Sequence, residues 1–195
     1  MEKKTFLKKY QIYFFSIICL LVILTRTNNS LAWLSHYFGD FTVPAIIVSA
    51  IYLREYFYVN CIVLLSVAID NYAILYEGVS ANCITPGYLL LIASYYLLFW
   101  MSRYINSIEI SLSSLQVYLG LFLLISIQWF MATTSYYVFT ETFTNNGFNL
   151  YFDYLSKWFF VETIPSIFWL LFISILLTVY KVFSFSVLSS QSKNI

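Results

Sequence analysis

Charge is the scarcest ingredient of this 195-residue chain: Asp, Glu, Lys and Arg make up 10% of it while 61% is hydrophobic, against roughly one-quarter charged residues in soluble domains. That shortage excludes a water-soluble domain. Glycine is scarce too, with five in all, and no glycine-rich phosphate loop occurs, so the chain brings no ATP site of its own. One histidine, His36, and three cysteines, Cys19, Cys61 and Cys83, are too few for a zinc site of three or four ligands or for a disulfide framework. Cys19 and Cys61 fall within apolar runs, and only Cys83 lies in a loop. The net charge of +1, with basic residues scattered over loop ends, supplies no stripe for nucleic acid.

What is abundant is apolar sequence in runs of near-spanning length. With about 20 residues needed per helical crossing, six spans and short loops use up the chain as a single all-α transmembrane domain, residues 1–195 of a polytopic membrane protein embedded in the lipid bilayer. The pattern predicts helices over 10–26, 42–54, 58–76, 86–102, 112–138 and 158–182. Lys3, Lys4, Lys8 and Lys9 before an apolar run imitate a secretory signal, and Ser30-Leu31-Ala32 imitates a cleavage site. Extended by Phe6 and Leu7, the run is long enough for a first span and is read as one. Pro44 and Pro86 each fall in the first turn of a helix, where the missing N–H costs nothing.

An N-in, C-in orientation puts Lys3, Lys4, Lys8, Lys9, Arg54, Arg103, Lys181 and Lys193 on the cytoplasmic side and only Arg26 and Lys157 outside, as the positive-inside rule favours. Acids then collect outside: Asp40, Asp70, Glu77, Glu141, Asp153 and Glu162 fall in outer loops or outer halves of helices. The outer segments Trp33 to Phe41, Glu77 to Thr85 and Thr140 to Lys157 mix aromatic with polar residues and are read as a lid. Aromatics form 22% of the chain. An interfacial belt accounts for most of them, and the concentration in outer loops suits a large, flat, partly apolar ligand.

The most informative stretch is Asp70 to Tyr88, DNYAILYEGVSANCITPGY. Asp70 lies about 9 Å inside the end of its helix at 1.5 Å per residue. An ionised carboxylate at that depth faces a cavity or pairs with a neighbouring helix. Glu77, two turns on, extends a polar stripe on the same side. Cys83 precedes Thr85-Pro86, a helix start, and a positive helix end favours its thiolate. An inert loop thiol, a nucleophile, a redox centre and a soft metal ligand all remain open for it. Nucleophilic catalysis lacks partners, since His36 lies in a different loop. A metal that arrives already held in a corrin ring needs only an axial ligand, and one thiolate suffices for that.

Three stretches carry a likeness: Phe38-Gly39-Asp40-Phe41-Thr42-Val43-Pro44-Ala45, Asp70, and Cys83-Ile84-Thr85-Pro86-Gly87-Tyr88 with the aromatic helix after it. They resemble the BtuM-type cobalamin transporters, solitary relatives of the substrate-binding S-components of energy-coupling-factor transporters. The resemblance covers helices 2 to 4 and extends to the rest only in general layout. It implies an S-component-like six-helix bundle in the bacterial inner membrane that takes cobalamin from the outer side. It implies Cys83 as axial ligand to the corrinoid cobalt, and Asp70 and Tyr88 as ligand-binding or site-shaping residues. Thiolate coordination that labilises the upper axial group of cobalt is a further possibility within this reading. An energy-coupling module is a possible partner through Ala45, Ser49 and Ala50, small residues that equally suit close helix packing inside the chain. Gln128, Glu141 and Glu162 are polar residues available to line a cavity. An intramembrane thiol enzyme using Cys83, with His36 as base, and a scaffold with no small ligand are the rival readings.

Overall fold

The computed structural model describes residues 2–26, 39–78, 86–107, 115–139 and 142–191, and these form six helices with no strand among the described residues. They are α1 (Glu2–Arg26), α2 (Thr42–Val48, continued by a π-helical turn Ser49–Leu53), α3 (Tyr56–Tyr76), α4 (Gly87–Ser107), α5 (Leu115–Phe139) and α6 (Thr142–Gln191). Long apolar runs without interior proline explain the regularity of α3, α4 and α5. Among the described residues three helical segments, Tyr56–Tyr76, Tyr118–Phe139 and Tyr151–Leu176, are long and apolar enough to cross a membrane. Leu64, Leu75, Leu89, Leu123, Phe130, Phe160 and Ile164 stand exposed on the outside of the bundle. So large an apolar exterior belongs against lipid, and the chain is a membrane protein.

Two helices differ from the sequence expectation. α1 begins at Glu2 rather than near residue 10, because the lysine-rich start continues the helix. α6 runs unbroken from Thr142 to Gln191, so the expected outer loop up to Lys157 is helical from Thr142 and the expected helix 158–182 is only its middle. Polarity had marked the edge of lipid-compatible sequence, and a helix can leave the lipid without ending. Pro165 lies inside α6 without terminating it.

α2 is the core. Thr42 and Pro44 to Ile51 are buried, and α2 packs against α1, α3, α4 and α6. Ala45, Ser49 and Ala50 are fully covered by the chain itself, so these small residues serve close helix packing here rather than forming an outer face. At 12 residues, 7 α-helical and 5 π-helical, α2 is about 18 Å long at 1.5 Å per residue. It ends where Arg54 turns left-handed (φ 60°) and its N–H bonds the Ser49 carbonyl at 2.9 Å.

Contacts between helix ends fix the direction of each helix. The last residue of α1, Arg26, meets the start of α2 at Thr42 and the late part of α3 at Asp70, and Asp70 meets the start of α4 at Tyr88. A Cβ on Gly87 would lie 2.6 Å from the Ser135 carbonyl oxygen, so the start of α4 abuts the late part of α5. Tyr151 of α6 packs at a tilt against Tyr137 of α5, centroids 4.9 Å apart. Successive helices therefore alternate in direction, and α1, α3 and α5 all finish at one end of the bundle.

Candidate functional site

Arg26 closes α1 with its side chain only 12% exposed. Its guanidinium is planar with donors in a fork, which suits carboxylate pairs. Nε and Nη2 donate to the two oxygens of Asp70 at 2.8 and 2.7 Å, while Nη1 donates to Asp40 at 2.6 Å and to the Thr42 hydroxyl at 3.0 Å. The Tyr88 hydroxyl donates to Asp70 Oδ2 at 2.5 Å. One guanidinium thus ties together α1, α2, α3 and α4. Asp70 is neither isolated nor merely exposed to a cavity; both its oxygens are engaged.

Local chemistry places Asp40. Its Oδ1 accepts the Thr42 N–H at 2.9 Å and the Thr42 hydroxyl at 2.7 Å, a turn closed by the side chain just ahead of α2. The Phe41 N–H is taken by the Thr25 hydroxyl at 3.0 Å, and the buried Phe41 ring packs edge-on against Trp169 with centroids 5.0 Å apart. Gly39 has φ +65°, and a Cβ there would lie 2.5 Å from Pro165 Cβ. The chain entering α2 is therefore held against α6 at its proline.

Next to this network opens a cavity of about 550 Å³ between α2, α4, α5 and α6. Asp40 and Tyr95 line the network side, and Tyr95 also interacts with Arg26. Gln128, Trp129 and Thr133 of α5 and Tyr154, Glu162 and Ser166 of α6 also line it. Gln128 is buried, and its amide donates to Ser94 at 3.3 Å. Aromatic walls with a few convergent polar groups are what a solute site requires.

Of the residues singled out from sequence, Asp70 and Tyr88 are brought together by a direct hydrogen bond, and Gln128 and Glu162 both line the cavity. Glu77 caps the end of α3, its N–H on the Ala73 carbonyl at 3.0 Å. Cys83, His36, Thr85 and Glu141 lie outside the described residues; in the sequence Cys83 stands between Gly78 and Pro86, the described flanks of its segment. The sequence reading missed Arg26, which it placed among scattered loop-end charges. The available signal was Asp70 itself, because a carboxylate so deep in an apolar helix calls for a cation, and Arg26 is the basic residue that ends a neighbouring apolar run.

No family model matches the chain, and no curated protein matches it.

Proposed function

We propose that this protein is a multi-pass bacterial inner-membrane carrier that binds a corrinoid of the cobalamin type from the outer side, with Cys83 as axial ligand to cobalt. The observation that carries the reading is the Asp70–Tyr88 hydrogen bond: these residues stand on the two helices joined by the segment that contains Cys83, beside an aromatic-walled cavity. The resemblance of the Asp40, Asp70 and Cys83 stretches to BtuM-type transporters supports it.

In this reading the Arg26 network is scaffolding. Asp70 uses its oxygens on Arg26 and Tyr88, so it shapes the site by fixing where α3 ends and α4 begins. Tyr88 retains an acceptor lone pair for a ring amide. The cavity, at about 550 Å³, falls within the usual range for small-ligand sites; it receives an edge of the corrinoid, with Gln128 and Asp40 as polar contacts. Soft thiolate coordination at one axial position needs no further protein ligand.

The test is the visible spectrum of the protein purified in detergent with cobalamin, beside Cys83→Ser treated identically. Retained corrinoid with an altered spectrum in the wild type alone is the expected result. A colourless wild type that is folded by circular dichroism overturns the proposal and favours a thiol enzyme or a scaffold. Asp70→Asn is expected to retain the altered spectrum while weakening corrinoid retention about tenfold, the effect of losing one supporting hydrogen-bonded charge.

A further inference from the structure

Glu162 lies within the apolar stretch Tyr151–Leu176 of α6 and lines the cavity. Among the described residues its carboxylate has neither a hydrogen bond nor an ion pair. Arg26 does not serve it, because Nε and Nη2 are committed to Asp70 and Nη1 to Asp40 and Thr42. Asp40 and Asp70 thus take up the one guanidinium, and among the described residues no Lys or Arg lines the cavity. Glu162 is exposed rather than buried, and an unpaired carboxylate within a stretch apolar enough to cross a membrane is costly, so the cavity wall has room for one more positive charge.

Around Glu162 the helix supplies further oxygens. Pro165 has no N–H, so the α-helical bond to the Val161 carbonyl cannot form, and Val161 lines the cavity. Ser166, one turn beyond Glu162 and 5% exposed, also lines it, and its hydroxyl has no partner among the described residues. Carboxylate, carbonyl and hydroxyl oxygens are hard donors. Among the described residues no three His, Cys, Asp or Glu side chains gather as a divalent or transition ion would want.

We propose that Glu162, the Val161 carbonyl and Ser166 form a site for a single positive charge, a proton or Na⁺, in the cavity wall. Asp40 faces the site from the start of α2 with Arg26 of α1 behind it, and Tyr95 from α4 and Tyr154 from α6 are the other titratable groups around the cavity. α5 contributes the uncharged Gln128, Trp129 and Thr133. Occupation neutralises the wall, and a cation that enters and leaves with the solute gives a chain without a phosphate loop a gradient to draw on. The site exists whether or not the solute is a corrinoid.

The experiment uses the full chain in detergent without corrinoid. Melting temperature is followed as NaCl replaces choline chloride at constant ionic strength, and infrared spectra are recorded across pH, for wild type, Glu162→Gln and Ser166→Ala. If Na⁺ is the occupant, it raises the wild-type Tm by about 4 °C or more, Glu162→Gln abolishes the shift and Ser166→Ala reduces it. If the proton is the occupant, Na⁺ has no effect, and a protonated-carboxyl C=O band persists at neutral pH, where an ordinary carboxylate is ionised, in the wild type and is missing from Glu162→Gln. Either pattern supports the site. A Na⁺ shift that persists in Glu162→Gln, or the lack of both a shift and a Glu162-dependent band, overturns it. Glu162→Gln keeps side-chain size and removes only charge, and Ser166→Ala changes a single hydroxyl, so a loss common to both variants does not trace to misfolding.

Discussion

Arg26 spends four donor contacts on two carboxylates and a hydroxyl that belong to two other segments of the chain, the start of α2 and the late part of α3. Removing the cation leaves Asp70 and Asp40 beside each other with no counter-charge, and breaking a largely buried pair from one side costs about 3 kcal/mol. Arg26→Gln is therefore expected to lower the unfolding midpoint in detergent sharply. Arg26→Lys, which keeps the charge and loses the fork, is expected to recover only part of the loss, as thermal or denaturant unfolding of the three proteins side by side would show. Full recovery by lysine would mean that charge alone matters and the bidentate geometry does not. Tyr88→Phe deletes one donor to a carboxylate and is expected to cost about 1.5 kcal/mol in the same measurement. In the sequence, Asp70 and Tyr88 stood out because polar groups are rare in their surroundings, whereas Arg26 did not, because a charge at the end of an apolar run looks like an ordinary interfacial anchor. Its partners are 14 and 44 residues away, and no local pattern links positions so far apart.

Helix existence was legible for the same reason that charge was scarce: a chain with so little polar sequence has to satisfy its backbone internally in lipid, and helices do that segment by segment. Helix ends were less so. The start of α6 at Thr142 lies in mixed polar and aromatic sequence, which reads as loop when lipid compatibility is the criterion. The burial of α2 was hidden because its apolar residues look no different from those that face lipid. Glycine shows which contacts set the geometry. A Cβ at Gly87 would meet main chain, the Ser135 oxygen at 2.6 Å, and main chain cannot swing away. Gly87→Ala is expected to force α4 and α5 apart and to cost about 2 kcal/mol, the scale of overpacking a tight contact. Gly39→Ala faces both a left-handed φ of +65° and Pro165 Cβ at 2.5 Å, so a cost of about 3 kcal/mol is expected. Because Gly39 positions Asp40 against α6, Gly39→Ala should also reshape the cavity, whereas Gly78→Ala, with a similar positive φ but open space around it, should bring only the backbone strain of about 1 kcal/mol. Unfolding curves for Gly39→Ala and Gly78→Ala distinguish the two contributions; equal costs would remove the Gly39–Pro165 contact from the account.

Six alternating helices direct the start of α1 and the end of α6 toward the same end of the bundle, opposite the Arg26 network. Three segments meet the length and hydropathy needed to cross lipid unaided, and α2 does not: at about 18 Å it falls short of a hydrocarbon core of about 30 Å. α2 escapes that requirement because α1, α3, α4 and α6 surround it, so its ends meet protein rather than lipid. In the proposed orientation the end with Lys3, Lys4, Lys8, Lys9, Arg54 and Arg103 faces the cytoplasm, and the Arg26, Asp40 and Asp70 network faces outward, where basic residues are few and the solute arrives. Alkaline phosphatase, active only outside the cytoplasmic membrane, reads this directly when fused after successive helices. Fusions after Glu55 and after Ser107 are expected to be inactive, and fusions after Gly78 and after Phe139 active. Activity after Glu55 would mean that α2 re-enters the outer side instead of crossing. The reverse pattern throughout would put the cavity and its carboxylates on the cytoplasmic face, and uptake from outside by the proposed site would then be untenable.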